Sequence, residues 1–124
     1  MITEGLLMYL PSATVESLAA EAFNGSFVRH WISDITTSGF SRVLGGGADT
    51  TASIRHVQAP DRLEGEQILE TVLSHGWTIS SRRSYITDVG FVQERVRRMT
   101  GGTIPPPLPF PPGEPTGVLR FARL

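Results

Sequence analysis

Apolar positions in the first quarter of the chain follow a helical rhythm. Val15, Leu18, Ala19, Ala22 and Phe23 recur at i, i+3, i+4, i+7 and i+8 and form one stripe. Ser12 or Thr14 suits the cap of this helix, and Asn24-Gly25 suits its end. Ahead of it, residues 2–10 are mostly apolar and predict a strand that Pro11 stops. Behind it, Phe27, Val28, Trp31, Ile32 and Ile35 predict a second amphipathic helix over residues 26–37, capped by Ser26 and ended near Gly39. These two would pair as an αα-hairpin. The competing strand over 26–37 would set Trp31 and Ile32 on opposite faces, and it fits the pattern less well.

The rest of the chain alternates between the two periods. Residues 40–44 predict a strand, Gly45-Gly46-Gly47 a turn, and the β-branched run 50–58 the partner strand. Pro60-Asp61 opens a third helix with Ile68, Leu69, Val72 and Leu73 inward and Glu64, Glu66 and Glu70 outward; His75-Gly76 ends it. Residues 77–81 predict a strand that extends toward Tyr85 and Ile86. Asp88 caps a fourth helix marked by Val89, Val92, Val96 and Met99 and terminated by Thr100-Gly101-Gly102. Residues 103–117 hold seven of the nine prolines and must be extended or polyproline-like. Residues 118–124 alternate again, Val118, Arg120 and Ala122 against Leu119, Phe121 and Arg123, which suits a terminal strand. The expected fold is therefore α+β: one small domain of about four helices and a mainly antiparallel sheet. Residues 1–102 form its compact body, 103–117 a proline-rich arm, and 118–124 a strand that packs on its own or a neighbouring subunit. Trp31 and Trp77 are the expected core anchors.

Composition narrows the chemistry. The chain has 124 residues, a net charge of -1 and no cysteine, so no global field attracts nucleic acid, and disulfide, thiolate and cysteine–metal chemistry are excluded. All eleven basic residues are arginine, which removes P-loop and Schiff-base lysines. His30, His56 and His75 show no metal-ligand spacing, and no metal or cofactor is expected. The segment 1–11 has neither the basic start of a signal peptide nor the length of a membrane span, so a cytoplasmic or virion-associated protein is expected, with no membrane partner. Asn24-Gly25-Ser26 matches a glycosylation pattern and is read as a turn.

Three functional readings follow. The leading one is a non-enzymatic, homo-oligomeric assembly or binding protein, with subunit contacts through the arm and last strand: Leu108, Phe110, Val118, Leu119 and Phe121. The arm also contains Leu108-Pro109-Phe110-Pro111-Pro112, loosely like short proline-rich ligands. The second is an anion-binding module for a nucleotide or nucleic acid. Arg82, Arg83, Arg95, Arg97 and Arg98 fall within seventeen residues and would grip a phosphate-bearing ligand; the LGGGADTT stretch is a turn that could add backbone N–H groups. The third is a small hydrolase in which His30 and Asp34, at i and i+4 on a helix, activate Ser26, Ser33 or Ser53. The texture of the chain, small, lysine-free, arginine-rich and with a proline arm, resembles in composition a phage or other viral product from a GC-rich genome, and no motif matches a family.

Overall fold

A computed structural model describes residues 1–39, 56–84, 94, 97, 98, 101 and 116–124. These build a small α+β domain of two layers. Strands β1 (Ile2–Thr3), β2 (His30–Ile35), β3 (Thr78–Ser84) and β4 (Gly117–Ala122) form one sheet in the order β1-β2-β4-β3. Helices α1 (Ser12–Asn24) and α2 (Gly65–Ser74) cover one face. β1 and β2 pair in parallel, while β2–β4 and β4–β3 are antiparallel. The sheet is thus mixed: β1, β2 and β3 run one way and β4 returns between β2 and β3.

The core is an aromatic cluster with aliphatic walls. Trp31 and Trp77, 0% and 1% exposed, meet edge-on at 5.7 Å between centroids. Phe23 stands on Trp77 at 5.6 Å and Phe121 against Trp31 at 5.9 Å. Val15, Ala19, Ala22, Ile68 and Val72 bring the helices down onto this cluster. The indole nitrogens are both satisfied: Trp77 Nε1 donates to the Ala19 carbonyl at 3.0 Å and Trp31 Nε1 to Thr3 Oγ1 at 2.8 Å.

Several sequence expectations are corrected. The expected helix over 26–37 is strand β2. Trp31, Ser33 and Ile35 point into the core, and His30, Ile32 and Asp34 occupy the other face. The expected strand over 2–10 shortens to Ile2–Thr3, because Gly5 (φ 56°) turns the chain and its N–H binds Asp34 Oδ1 at 2.8 Å. Leu7–Tyr9 then form a 3-10 turn that buries Leu7. Neither Ser12 nor Thr14 caps α1; Pro11 occupies that position, and Ser12 Oγ binds Asp61 Oδ2 at 3.2 Å instead. α2 starts at Gly65 rather than at Pro60-Asp61, where Glu64 and Gln67 close a reciprocal capping box. The terminal strand is present as β4, and it occupies an interior position in the sheet. The expected strands over 40–44 and 50–58, apart from His56–Gln58, which form a turn, fall outside the described residues, as do the Gly45-Gly46-Gly47 turn and most of the fourth helix and arm. Glu94, Arg97 and Arg98 have helical backbone. About four helices and a proline-rich arm are thus not established.

Candidate functional site

The two long connections of the chain root at the same end of the sheet. α1 and α2 begin at the carboxyl ends of the parallel-running strands, and each helix returns the chain to the start of the next strand. At that end Gly65 meets the chain leaving β2 so closely that an added Cβ would lie 2.1 Å from the Thr36 carbonyl oxygen. Both carboxylate oxygens of Glu66 accept the Ser38 N–H at 3.1 Å, and Ser38 Oγ adds a bond at 2.8 Å. The chain that leaves β2 and the start of α2 thus lie side by side. The ends of β3 and β4 do the same at this end of the sheet. Ser84 at the end of β3 is the registered partner of Gly117 at the start of β4. A turn of two to five residues would join these strands. The two roots are tied together, since the Thr37 N–H donates to Thr116 Oγ1 at 3.1 Å and the two hydroxyls lie 3.0 Å apart, all fully buried.

A second feature is the sheet face opposite the helices. Pairing register sets its rows: His30–Ala122–Thr78, Ile2–Ile32–Arg120–Ser81 and Asp34–Val118–Arg83. Ile2 and Ile32 are cross-strand partners, 70% and 37% exposed. Arg120 is exposed, and its Nη2 donates to His30 Nε2 at 3.2 Å, which makes Nε2 the acceptor and assigns the ring proton to Nδ1. Isoleucines and Asp34 lie on the β1/β2 half of the face, with Arg120 and Arg83 on the β4/β3 half.

The predicted arginine site is only partly described. Arg82 and Arg83 are neighbours on β3, so their side chains leave opposite faces: Arg82 pairs with Leu119 on the helix side and Arg83 with Val118 on the open side. Arg97 and Arg98 both close on Glu94, at 3.3 Å and 3.1 Å. Arg95 lies outside the described residues. No common anion contact among the five is formed by the described atoms. One open depression of about 430 Å³ is lined by Gln58, Ala59, Pro60 and Arg62, and Arg62 is turned to Glu64 at 3.5 Å.

The helical juxtaposition behind the hydrolase reading does not form. On an extended strand four residues span roughly 13 Å, so His30 and Asp34 cannot meet along β2; His30 contacts Arg120 and Asp34 holds Gly5. Ser33 is buried and donates to the Asp34 carbonyl at 3.2 Å, Ser26 is exposed, and Ser53 lies outside the described residues. Of the predicted interface residues, Leu119 and Phe121 are 0% exposed in the core of their own chain, and Val118 is half-buried on the open face. Leu108 and Phe110 lie outside the described residues. Sequence reading passed over Arg120 and Ile32 as surface features; the alternation of Val118, Arg120 and Ala122 against Leu119 and Phe121 was the available signal. No described helix is long and apolar enough to cross a membrane. The chain matches no protein-family model, no curated protein and no solved structure.

Proposed function

We propose that this is a non-enzymatic assembly or binding protein whose subunit contacts are made by the excursion 85–115, with Leu108 and Phe110 as its apolar anchors. The reading rests on one observation: β3 and β4 are already paired at Ser84–Gly117, so the fold has no topological need for the residues inserted between them. Long connections within small domains are uncommon and are usually either functional or linker segments. The excursion also contains seven of the nine prolines, and a stiff arm loses little entropy on docking. A phage or viral origin is part of the proposal and is supported by the lysine-free composition.

The contact is assigned to the arm rather than to exchange of β4. Leu119 and Phe121 already fill the core of their own chain. The short distance between Ser84 and Gly117 makes closure within one chain easy. Linkage within one chain supplies an effective concentration of about millimolar for that closure, so a partner strand displaces β4 only at comparable protein concentrations.

The test is light scattering on the full chain and on Leu108→Asp/Phe110→Asp. The expected result is a wild-type mass that is a multiple of 13.5 kDa and falls in the double variant while the far-UV spectrum is unchanged. An unchanged mass, or a wild type that is monomeric throughout, overturns the reading.

A further inference from the structure

We propose that the open face of the sheet is a docking surface for a second copy of the chain. An open face alone proves nothing, because sheets with antiparallel pairing commonly leave one side to water. The case rests on how this face is composed. Its β1/β2 half holds Ile2 and Ile32, directly paired and both exposed, in positions where alternation calls for polar residues. Its charges are segregated. Asp34 lies on the β1/β2 half, with exposed Glu4 one residue beyond β1; Arg120 and Arg83 lie on the β4/β3 half.

That division is self-complementary. A face-to-face dimer with a two-fold axis running along the strands, between β2 and β4, lays β2 of one copy over β4 of the other. Asp34 then falls over the partner's Val118, flanked by the partner's Arg120 and Arg83. The second copy makes the same contact in return, as an isologous interface demands. Ile32 falls over the partner's Arg120, whose aliphatic stem can cover it. Tilting the axis by about 15° gives the roughly 30° crossing preferred by aligned sheets. Helices remain outside, so the dimer has four layers. A four-stranded face of this length buries on the order of 1,000 Å² in total, the low end for specific interfaces. Pairing is therefore weak and depends on concentration, with dissociation in the micromolar range. The proposal goes beyond the arm contact and does not depend on it.

Symmetry supplies a test that an ordinary surface substitution cannot imitate. In Arg120→Glu the introduced acid meets the partner's Asp34, twice per dimer. In Asp34→Arg the introduced base meets the partner's Arg120, again twice. Each variant alone is expected to dissociate about a hundredfold more readily. An equimolar mixture of the two restores opposite charges at both contacts, so the heterodimer re-forms. Sedimentation velocity of the full chain from about 1 to 500 μM reads this directly. Because Asp34→Arg also removes the Gly5 N–H acceptor, Ile2→Asp and Ile32→Asp serve as further variants that leave that bond intact; both are expected to stay monomeric. Loss of pairing in each variant with recovery on mixing supports the proposal. Wild type that stays monomeric, an Arg120→Glu chain that still pairs, or a folded mixture that stays apart overturns it. If Asp34→Arg fails to fold, pairing retained in either isoleucine variant overturns it equally. The arm variant Leu108→Asp/Phe110→Asp retains this contact, which separates failure here from failure of the arm reading.

Discussion

Replacing residues 85–115 by a three-residue glycine-containing link, with Thr116 kept, should stabilise the domain. The perturbation shortens the loop between paired Ser84 and Gly117 by about eightfold. Loop closure contributes (3/2)RT ln n, so the unfolded chain loses an advantage of about 2 kcal/mol. Against a typical stability of about 5–15 kcal/mol this is a large gain. It corresponds to a rise in Tm of about 10 °C for a domain of this size. Urea unfolding followed by tryptophan fluorescence is the natural assay, because Trp31 and Trp77 sit together in the core. The denaturant dependence carries separate information. Its slope scales with surface exposed on unfolding, so a dispensable excursion leaves the slope almost unchanged. A lower midpoint together with a clearly smaller slope would falsify the reasoning, since the excised segment would then have been burying surface in the native state.

The remaining predictions concern how the ends of the excursions are held. Leu119→Ala should cost about 2–5 kcal/mol and Phe121→Ala about 3–5 kcal/mol, because both are 0% exposed; a chain ending at Thr116 should show no cooperative urea transition at all. Gly76→Ala should lose about 2 kcal/mol or more, since φ is 97° and the new Cβ would sit 2.7 Å from the Phe23 ring. Gly65→Ala should lose more than Gly76→Ala in the same titration, because its obstacle is the Thr36 carbonyl rather than a ring that can rotate away. Thr116→Val removes the Oγ1 acceptor of the buried Thr37 N–H and should cost about 1–3 kcal/mol, with faster amide exchange at Thr37 as a local readout.

Where one periodicity dominates, sequence and structure agree. α1 keeps its Val15, Ala19 and Ala22 stripe, and α2 keeps Ile68 and Val72, because each packs one face on a single sheet. β4 was readable for the same reason: Leu119 and Phe121 go inward without interruption. Its place in the sheet was not readable. Nothing local to residues 117–122 says that they insert between β2 and β3; that follows from pairings to residues some ninety and forty positions away. The arginine cluster shows the limit on the functional side. Arg82 and Arg83 are adjacent in sequence, and on a strand adjacency means divergence.

β2 is the instructive failure, and it has one cause. In His30–Ile35 a polar residue, Ser33, points into the core and an apolar one, Ile32, points out. That single inversion erases the alternation and leaves an i, i+4 pattern that mimics a helix. The inward serine is tolerated because Thr3 Oγ1 donates to its hydroxyl at 3.0 Å, and that threonine in turn accepts from the Trp31 indole at 2.8 Å. The polar atoms thus satisfy one another through β1, a partner the local sequence does not reveal. The outward isoleucine has no such intramolecular compensation: it lies beside Ile2 on the open face, where both remain in water. Folding explains the serine. The proposed pairing of two copies would cover the isoleucine, the residue that disguised the strand.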